Sequence, residues 1–280
     1  MVLRVCVLAS GSSGNATYVS SGTTSLLIDC GIPARVIVQR LAELGVSPRE
    51  LQGILISHAH LDHFKSAGTL HARYGVPVFT SRATLRAIDR KKSCGSFWRV
   101  RECRGFPERL GDIVIQTFTV PHGGRETGEP VGFVLESDGR RAGYLTDCGE
   151  VTSRVVDALR GVDLLVIEAN YHRPIVLQKL QDPSFSAFWP YLRWVDSPRG
   201  HLSNQDCADA LRRVLTADTR AVFLAHISEN HYDPRRDNND YETARALAME
   251  AIMDAGLRTP LYRTYRREKT EGRRSELVSL

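Results

Sequence analysis

Six consecutive positions, His58-Ala59-His60-Leu61-Asp62-His63, hold three of the nine histidines in this 280-residue chain, with a carboxylate among them. One histidine after a strand is ordinarily a satisfied surface or core residue. Three with an interleaved aspartate are costly to pack unless a cation neutralises the carboxylate and takes the imidazole lone pairs. The chemistry this spacing implies is binding of a divalent metal.

The apolar run GILIS (53–57) before the motif reads as a buried strand, and Asp62 and His63 fall where the next helix should begin. Ligands on a strand-to-helix loop converge on one point while rigid elements hold them. LRVCVL, ATYVS, SLLID, DIVIQTFTV, VGFVLES and RAGYLTD are further short β-branched runs, and Asp138-Gly139 in ESDGRRAGY predicts a hairpin turn. Helical patterns cover 33–44, 64–74, 81–90, 152–159, 204–215 and 241–255. From about Asp163 the order becomes strand, helix, strand, helix, with DLLVIE and AVFLA as strands. This predicts two β-layers with helices outside, an α+β four-layer αββα sandwich. Residues 178–200, rich in proline and tryptophan, break the periodicity and read as an inserted excursion within one domain spanning 1–280. No internal repeat or long linker divides the chain.

The 42% hydrophobic and 25% charged fractions are those of an ordinary globular protein. No apolar run approaches the roughly 20 residues of a membrane-spanning helix. The first residues lack the basic leader of a signal peptide, so the expected location is the cytoplasm, with no membrane partner. Six dispersed cysteines, Cys6, Cys30, Cys94, Cys103, Cys148 and Cys207, form no C-x-x-C pair, which argues against a zinc ribbon or a disulfide framework. The net charge of +5 and the arginines at 99, 101, 104 and 109 and at 263, 266, 267, 273 and 274 suit a polyanionic partner or a solvated basic surface.

The motif resembles the H-x-H-x-D-H signature of the metallo-β-lactamase fold, and the resemblance continues down the chain. It expects a histidine at a later strand end, supplied by His122 in FTVPHGG, an aspartate after a hairpin, Asp147 in GYLTDCG, and a last histidine, His226 in VFLAHIS. By that resemblance His58, His60 and His122 hold one metal, Asp62, His63 and His226 hold a second, and Asp147 touches both. Two divalent cations so placed generate a hydroxide and stabilise charge on oxygen, which implies hydrolysis. The nitrogen and oxygen donors admit zinc, manganese or iron. Asp29, ending SLLID, either fixes a ligand imidazole's tautomer or caps the turn before Pro33.

LLVIEANYH, RGHLSNQDCADAL and LAHISENH, with LASGSSGNATYV and LIDCG, resemble the YycJ/WalJ-type branch of that fold over essentially the whole chain, and more distantly the tRNA 3′-processing endonucleases. The nuclease resemblance implies that His201, held by Glu168, protonates a leaving alkoxide; with Asp62 these are the catalytic candidates. The alternative is that His201 caps the helix starting at SNQD and Glu168 merely ends a strand. Ser12, Gly14 and Asn15 in the Gly11–Asn15 turn form a possible anion nest, and Asn170 or His172 a possible phosphate contact. His71 and His231 read as structural. Residues 178–200 are too short for the extra domain of RNase J and its relatives, and the segment and the long loop after His226 depart from the YycJ/WalJ pattern. The resulting expectation is a binuclear phosphodiesterase on nucleic acid, DNA favoured over RNA, most closely a DNA exonuclease. A hydrolase of lactones, esters or thioesters and an RNA-processing nuclease are the alternatives.

Overall fold

The computed structural model describes residues 2–91, 97, 100, 103–228, 237–265 and 274–280. The short aliphatic runs form two sheets, each of seven strands among the described residues. The first contains β1 (Arg4–Ala9), β2 (Ala16–Ser20), β3 (Ser25–Ile28), β4 (Gly53–Leu55), β5 (Val78–Phe79) and β6 (Cys103–Arg104), with β14 (Val278–Ser279) beside β1. The second contains β7 (Arg109–Leu110), β8 (Ile113–Thr119), β9 (Val131–Ser137), β10 (Arg140–Leu145), β11 (Leu164–Glu168), β12 (Ala221–Ala225) and β13 (Leu261–Arg263) in sequential order.

Both sheets change character halfway across. β14, β1, β2 and β3 pair antiparallel, then β3 to β6 pair parallel. Likewise β7 to β10 are antiparallel and β10 to β13 parallel. A tight turn suffices for the first kind of pairing, and Asp138 and Gly139, at φ 53° and 73°, supply it between β9 and β10. Parallel neighbours need crossovers, and the helices are those crossovers. α1 (Ala34–Ala42), α2 (Leu61–Phe64), α3 (Ala67–Tyr74) and α4 (Arg82–Asp89) cover the first sheet; α5 (Ser153–Leu159), α8 (Asn204–Val214) and α9 (Tyr241–Asp254) cover the second.

Alternation along the strands sorts the core. Val5, Val7, Leu26 and Ile28 of one sheet meet Phe133, Leu135, Val166 and Phe223 of the other between the layers, while the intervening residues face the helices. The result is the four-layer αββα sandwich expected from the sequence.

Two expected elements differ. The helix expected over 64–74 is interrupted, because α2 holds only four residues and α3 starts at Ala67. The segment expected as a break at 178–200 is largely helical: α6 (Arg173–Gln181), a 3₁₀ helix at Pro183–Phe188 and α7 (Trp189–Val195). Of its three prolines, Pro183 and Pro190 stand at helix starts, where no amide is lost, and Pro198 lies in the turn after α7, so they punctuate helices rather than abolish them. Residues Cys94, Arg99, Arg101, His231, Arg266, Arg267 and Arg273, singled out above, lie outside the described residues.

One contact locks the motif to the first sheet. Asn15 N donates to Asp62 O (2.8 Å) and Cys30 N to His63 O (2.7 Å), and a Cβ on Gly31 would stand 1.5 Å from Asp62 O. Gly31→Ala should therefore lower unfolding stability by about 1–3 kcal/mol or more. Exposed Gly105→Ala, with no atom near its Cβ, should change it by less than about 0.5 kcal/mol. Urea unfolding of the two variants measures this, and equal stability would contradict the close approach.

Candidate metal centre

The carboxyl ends of β3, β4, β8, β10, β11 and β12 deliver Asp29, His58 with His60, His122, Asp147, Glu168 and His226 to one rim. Asp29, Asp147 and His226 each leave their strand with a left-handed backbone, at φ 59°, 55° and 53°. Among the described residues the only other non-glycine with positive φ is hairpin residue Asp138. Such conformations are unfavourable for these side chains and persist where the surroundings fix them.

His58, His60, His122 and Asp147 each place a ligand atom within 4.8 Å of the others, as do Asp62, His63 and His226. Asp147 links the two groups: its Oδ2 lies 3.1 Å from His63 Nε2 and its Oδ1 3.6 Å from His122 Nε2 and 3.8 Å from His226 Nε2. His58 Nε2, Asp147 Oδ2 and His226 Nε2 are buried without a hydrogen-bond partner. Polar atoms so placed cost free energy unless something takes their lone pairs, and this donor set suits a divalent metal.

The distal ring nitrogens are fixed from behind. His63 Nδ1 faces Asp29 Oδ2 at 2.7 Å, and Ser57 N and Oγ donate to the same carboxylate at 2.8 and 2.9 Å. Tyr144 Oη completes the set at 3.3 Å, and His122 Nδ1 donates to Gly200 O at 2.7 Å. Glu168 is fully buried, and its Oε1 lies 2.8 Å from His201 Nδ1 and 2.9 Å from His226 Nδ1, while its Oε2 accepts from Cys148 N and Leu202 N. One carboxylate thus orients both the candidate proton donor and a candidate ligand. Sequence reasoning paired it with His201 alone. The helix at SNQD is capped by Ser203, whose hydroxyl accepts from Asp206 N, so His201 is not its cap.

The two groups differ in charge. Burial holds His58 well below the usual histidine range and brings His60 down to about 4, so both are neutral near pH 7. Burial opposes protonation of His63 and His226 too, but Asp147 with neighbouring carboxylates outweighs it, lifting His63 far above the histidine range and His226 to about 10. For Glu168, burial is outweighed by His201 and His226, which bring it to about 2.

Two of the suggested phosphate contacts border the centre: Asn15 Nδ2 lies 3.1 Å from His63 Nε2, and Asn170 Nδ2 lies 3.0 Å from His226 Nδ1. Ser12 is exposed; Gly14 N donates to Gly11 O, and buried Asn15 accepts from Gly11 N and Ser10 Oγ. Asn170 Nδ2 donates to His226 O, and His172 stands at the N-cap position of α6 without a side-chain capping bond, its Nδ1 3.3 Å from Gln205 Nε2. His71 bonds Val76 O. Sequence reasoning missed Ser57, Tyr144 and Trp194, whose ring lies 5.1 Å from His201 and 5.7 Å from His122. Only Ser57, adjacent to the motif, had a positional signal.

A family model described as a β-lactamase superfamily domain matches residues 24–227. The chain is 32% identical over 257 residues to exodeoxyribonuclease WalJ of Streptococcus pneumoniae, covering 91% of this chain and 90% of that protein. It is 30% identical over 257 residues to exodeoxyribonuclease YycJ of Bacillus anthracis, covering 91% of each. Its structure superimposes on the metallo-β-lactamase fold protein YhfI of Bacillus subtilis with a TM-score of 0.66 at 15% identity, over 99% of both chains.

Metal can bind His63 and His226 only after their protons leave, so divalent-metal affinity should rise with pH below about pH 10. Calorimetry in buffers of different ionisation enthalpy should show release of about two protons per chain at pH 7; a heat independent of buffer would refute the charged state of this half. Asp29→Asn, which weakens the support behind His63, should lower metal affinity by about 10- to 100-fold. Equilibrium dialysis measures it, and unchanged affinity would sever Asp29 from the centre.

Proposed function

The chain belongs to the metallo-β-lactamase superfamily of metal-dependent hydrolases, and we propose that it cleaves DNA from strand ends as an exodeoxyribonuclease. The relatives named exodeoxyribonucleases, aligned over nine-tenths of the chain, support the substrate. The observation that carries the reaction is His201, held at 2.8 Å by Glu168 and standing with its ring 5.1 Å from His122 and 5.2 Å from His226. We assign two divalent ions, zinc, manganese or iron, to His58, His60 and His122 and to Asp62, His63 and His226, with Asp147 shared. When bound, they would polarise a phosphodiester and lower the pKa of water.

The chain's own groups do the rest. Because Glu168 occupies His201 Nδ1, Nε2 is the nitrogen left to pass a proton to the leaving sugar oxygen, and the carboxylate fixes the ring that does so. The side chain of Asp62 is 25% exposed, with Oδ2 3.6 Å from His63 Nε2 and 3.8 Å from His226 Nε2, which leaves it beside the path of an incoming phosphate. A sugar alkoxide is a poor leaving group and gains much from a donor. Lactones and thioesters gain far less, so a Glu-His pair at this place favours the diester.

His201→Ala should lower DNA hydrolysis by roughly 10²- to 10⁴-fold, keep its metal, and lose much less on a model diester with a phenolate leaving group. Glu168→Gln should lose activity and metal together, because its Oε1 also holds His226. Asp147→Ala should abolish hydrolysis of both substrates. Turnover and metal analysis of the purified variants decide this. Wild-type rates in His201→Ala, or rapid turnover of a lactone or thioester with no cleavage of DNA, would sink the reading.

A further inference from the structure

The segment between β11 and α8 ends at the catalytic rim. In α7, Leu192 and Val195 are buried against Tyr171 and Val176, which turns Tyr191 and Trp194, three residues apart, to a different side of the helix. Tyr191 is 49% exposed, and its ring lies 6.0 Å from that of Trp194 at an interplanar angle of 33°. Trp194 in turn meets His201 edge to face, at 5.1 Å and 88°. A row of rings therefore runs from solvent to the candidate proton donor.

The two tryptophans of this segment behave differently. Trp189 donates its indole N–H to Lys179 O, the satisfied arrangement of a packing residue. Trp194 also borders the satellite core, but its indole N–H makes no hydrogen bond among the described residues, and its ring stands against His122 and His201. Exposed Arg199 donates Nε to Gly123 O at 2.6 Å, which holds its guanidinium beside the turn after His122, while Arg193 lies over the ring of Trp189, 5.7 Å from its centroid. Aromatic faces next to cationic side chains are what the end of a single DNA strand requires: a flat base to stack and a phosphate to neutralise.

We propose that Tyr191 and Trp194 form a stacking subsite for the terminal nucleobase of a DNA strand, placing the adjacent phosphodiester at the metal centre. The inference rests on the nuclease reading above and specifies how that substrate is held. Stacking accepts every base because each has a π-face, which suits an enzyme that must remove successive nucleotides regardless of sequence.

The test compares two labelled single-stranded oligonucleotides, identical except that one carries abasic sugars in place of its terminal nucleotides at both ends. With the metal-loaded wild type, KM for the abasic strand should be about 5- to 100-fold higher. Trp194→Ala and the exposed Tyr191→Ala should each raise KM for the natural strand toward the abasic value, with little change on the abasic strand, and Trp194→Phe should restore most of the difference. Thermal melting checks that Trp194→Ala is folded, and Tyr191→Ala carries the test if it is not. Equal KM for the two strands in the wild type, or a wild-type ratio in both alanine variants, overturns the subsite while leaving the nuclease intact. If the wild type cuts neither strand, the nuclease reading falls and the subsite with it.

Discussion

Asp29, Asp147 and Glu168 lie under a cluster of imidazoles at 0%, 1% and 0% exposure, and their burial would be prohibitive without the partners arranged around them. Each carboxylate is neutralised or hydrogen-bonded from several sides, and each fixes at least one ring. Asp29 takes His63, Ser57 and Tyr144; Glu168 takes His201, His226 and two backbone amides. Asp147 is ringed by nitrogens of His63, His122 and His226 at 3.1 to 3.8 Å, a set of donors that a divalent cation would complete. The remaining structure serves to bring these groups together at that cost.

The sheets do so through a shared design. Each has an antiparallel half, cheap to connect, and a parallel half whose crossovers put successive strand ends on one rim. Asp29 ends the strand at which the first sheet changes from antiparallel to parallel, and Asp147 follows the strand at which the second does. Both carry positive φ. The unfavourable backbone falls where a strand must turn its last side chain inward instead of along its line, and the hydrogen bonds of the buried carboxylates offset it.

The fold was legible because local patterns and global architecture agree. The aliphatic runs, the Asp138-Gly139 turn and the crossover helices each carry their own signal over a few residues. The motif at 58–63 was legible for the same reason, being a cluster in sequence before it is one in space. His122, Asp147 and His226 were not: each is one polar residue after one strand, and only the resemblance to a known ligand pattern singled them out. The second attachment of Glu168, to His226, lies 58 residues away in sequence and has no local trace. The helices at 173–195 were obscured because their prolines occupy helix starts and their apolar side chains bury a small satellite core instead of the main one. The bonds that Asn15 and Asn170 make, to Gly11 N and to His226 O, had no trace in sequence, since a polar residue near a site has the same appearance there whether it meets substrate or holds a ligand loop.

The division of labour follows the connectivity. Most of the candidate ligands follow strand ends, and Asp62 and His63 lie in α2 directly after one, where the packed sheets can hold them to the precision a coordination sphere requires. His201 does not: it follows α7 across the short turn from Asp196 to Gly200, and its amide bonds Val195 O. Gly200 accepts from His122 through its carbonyl and leaves no room for a side chain, since a Cβ there would stand 2.0 Å from Trp194 O. The candidate proton donor, the backbone support of a metal ligand and the aromatic row are therefore one covalent unit resting on a satellite core. A change in the packing of α6 and α7 would therefore move the candidate donor and the support of His122 together, while His58, His60 and Asp147 keep their place on the sheets.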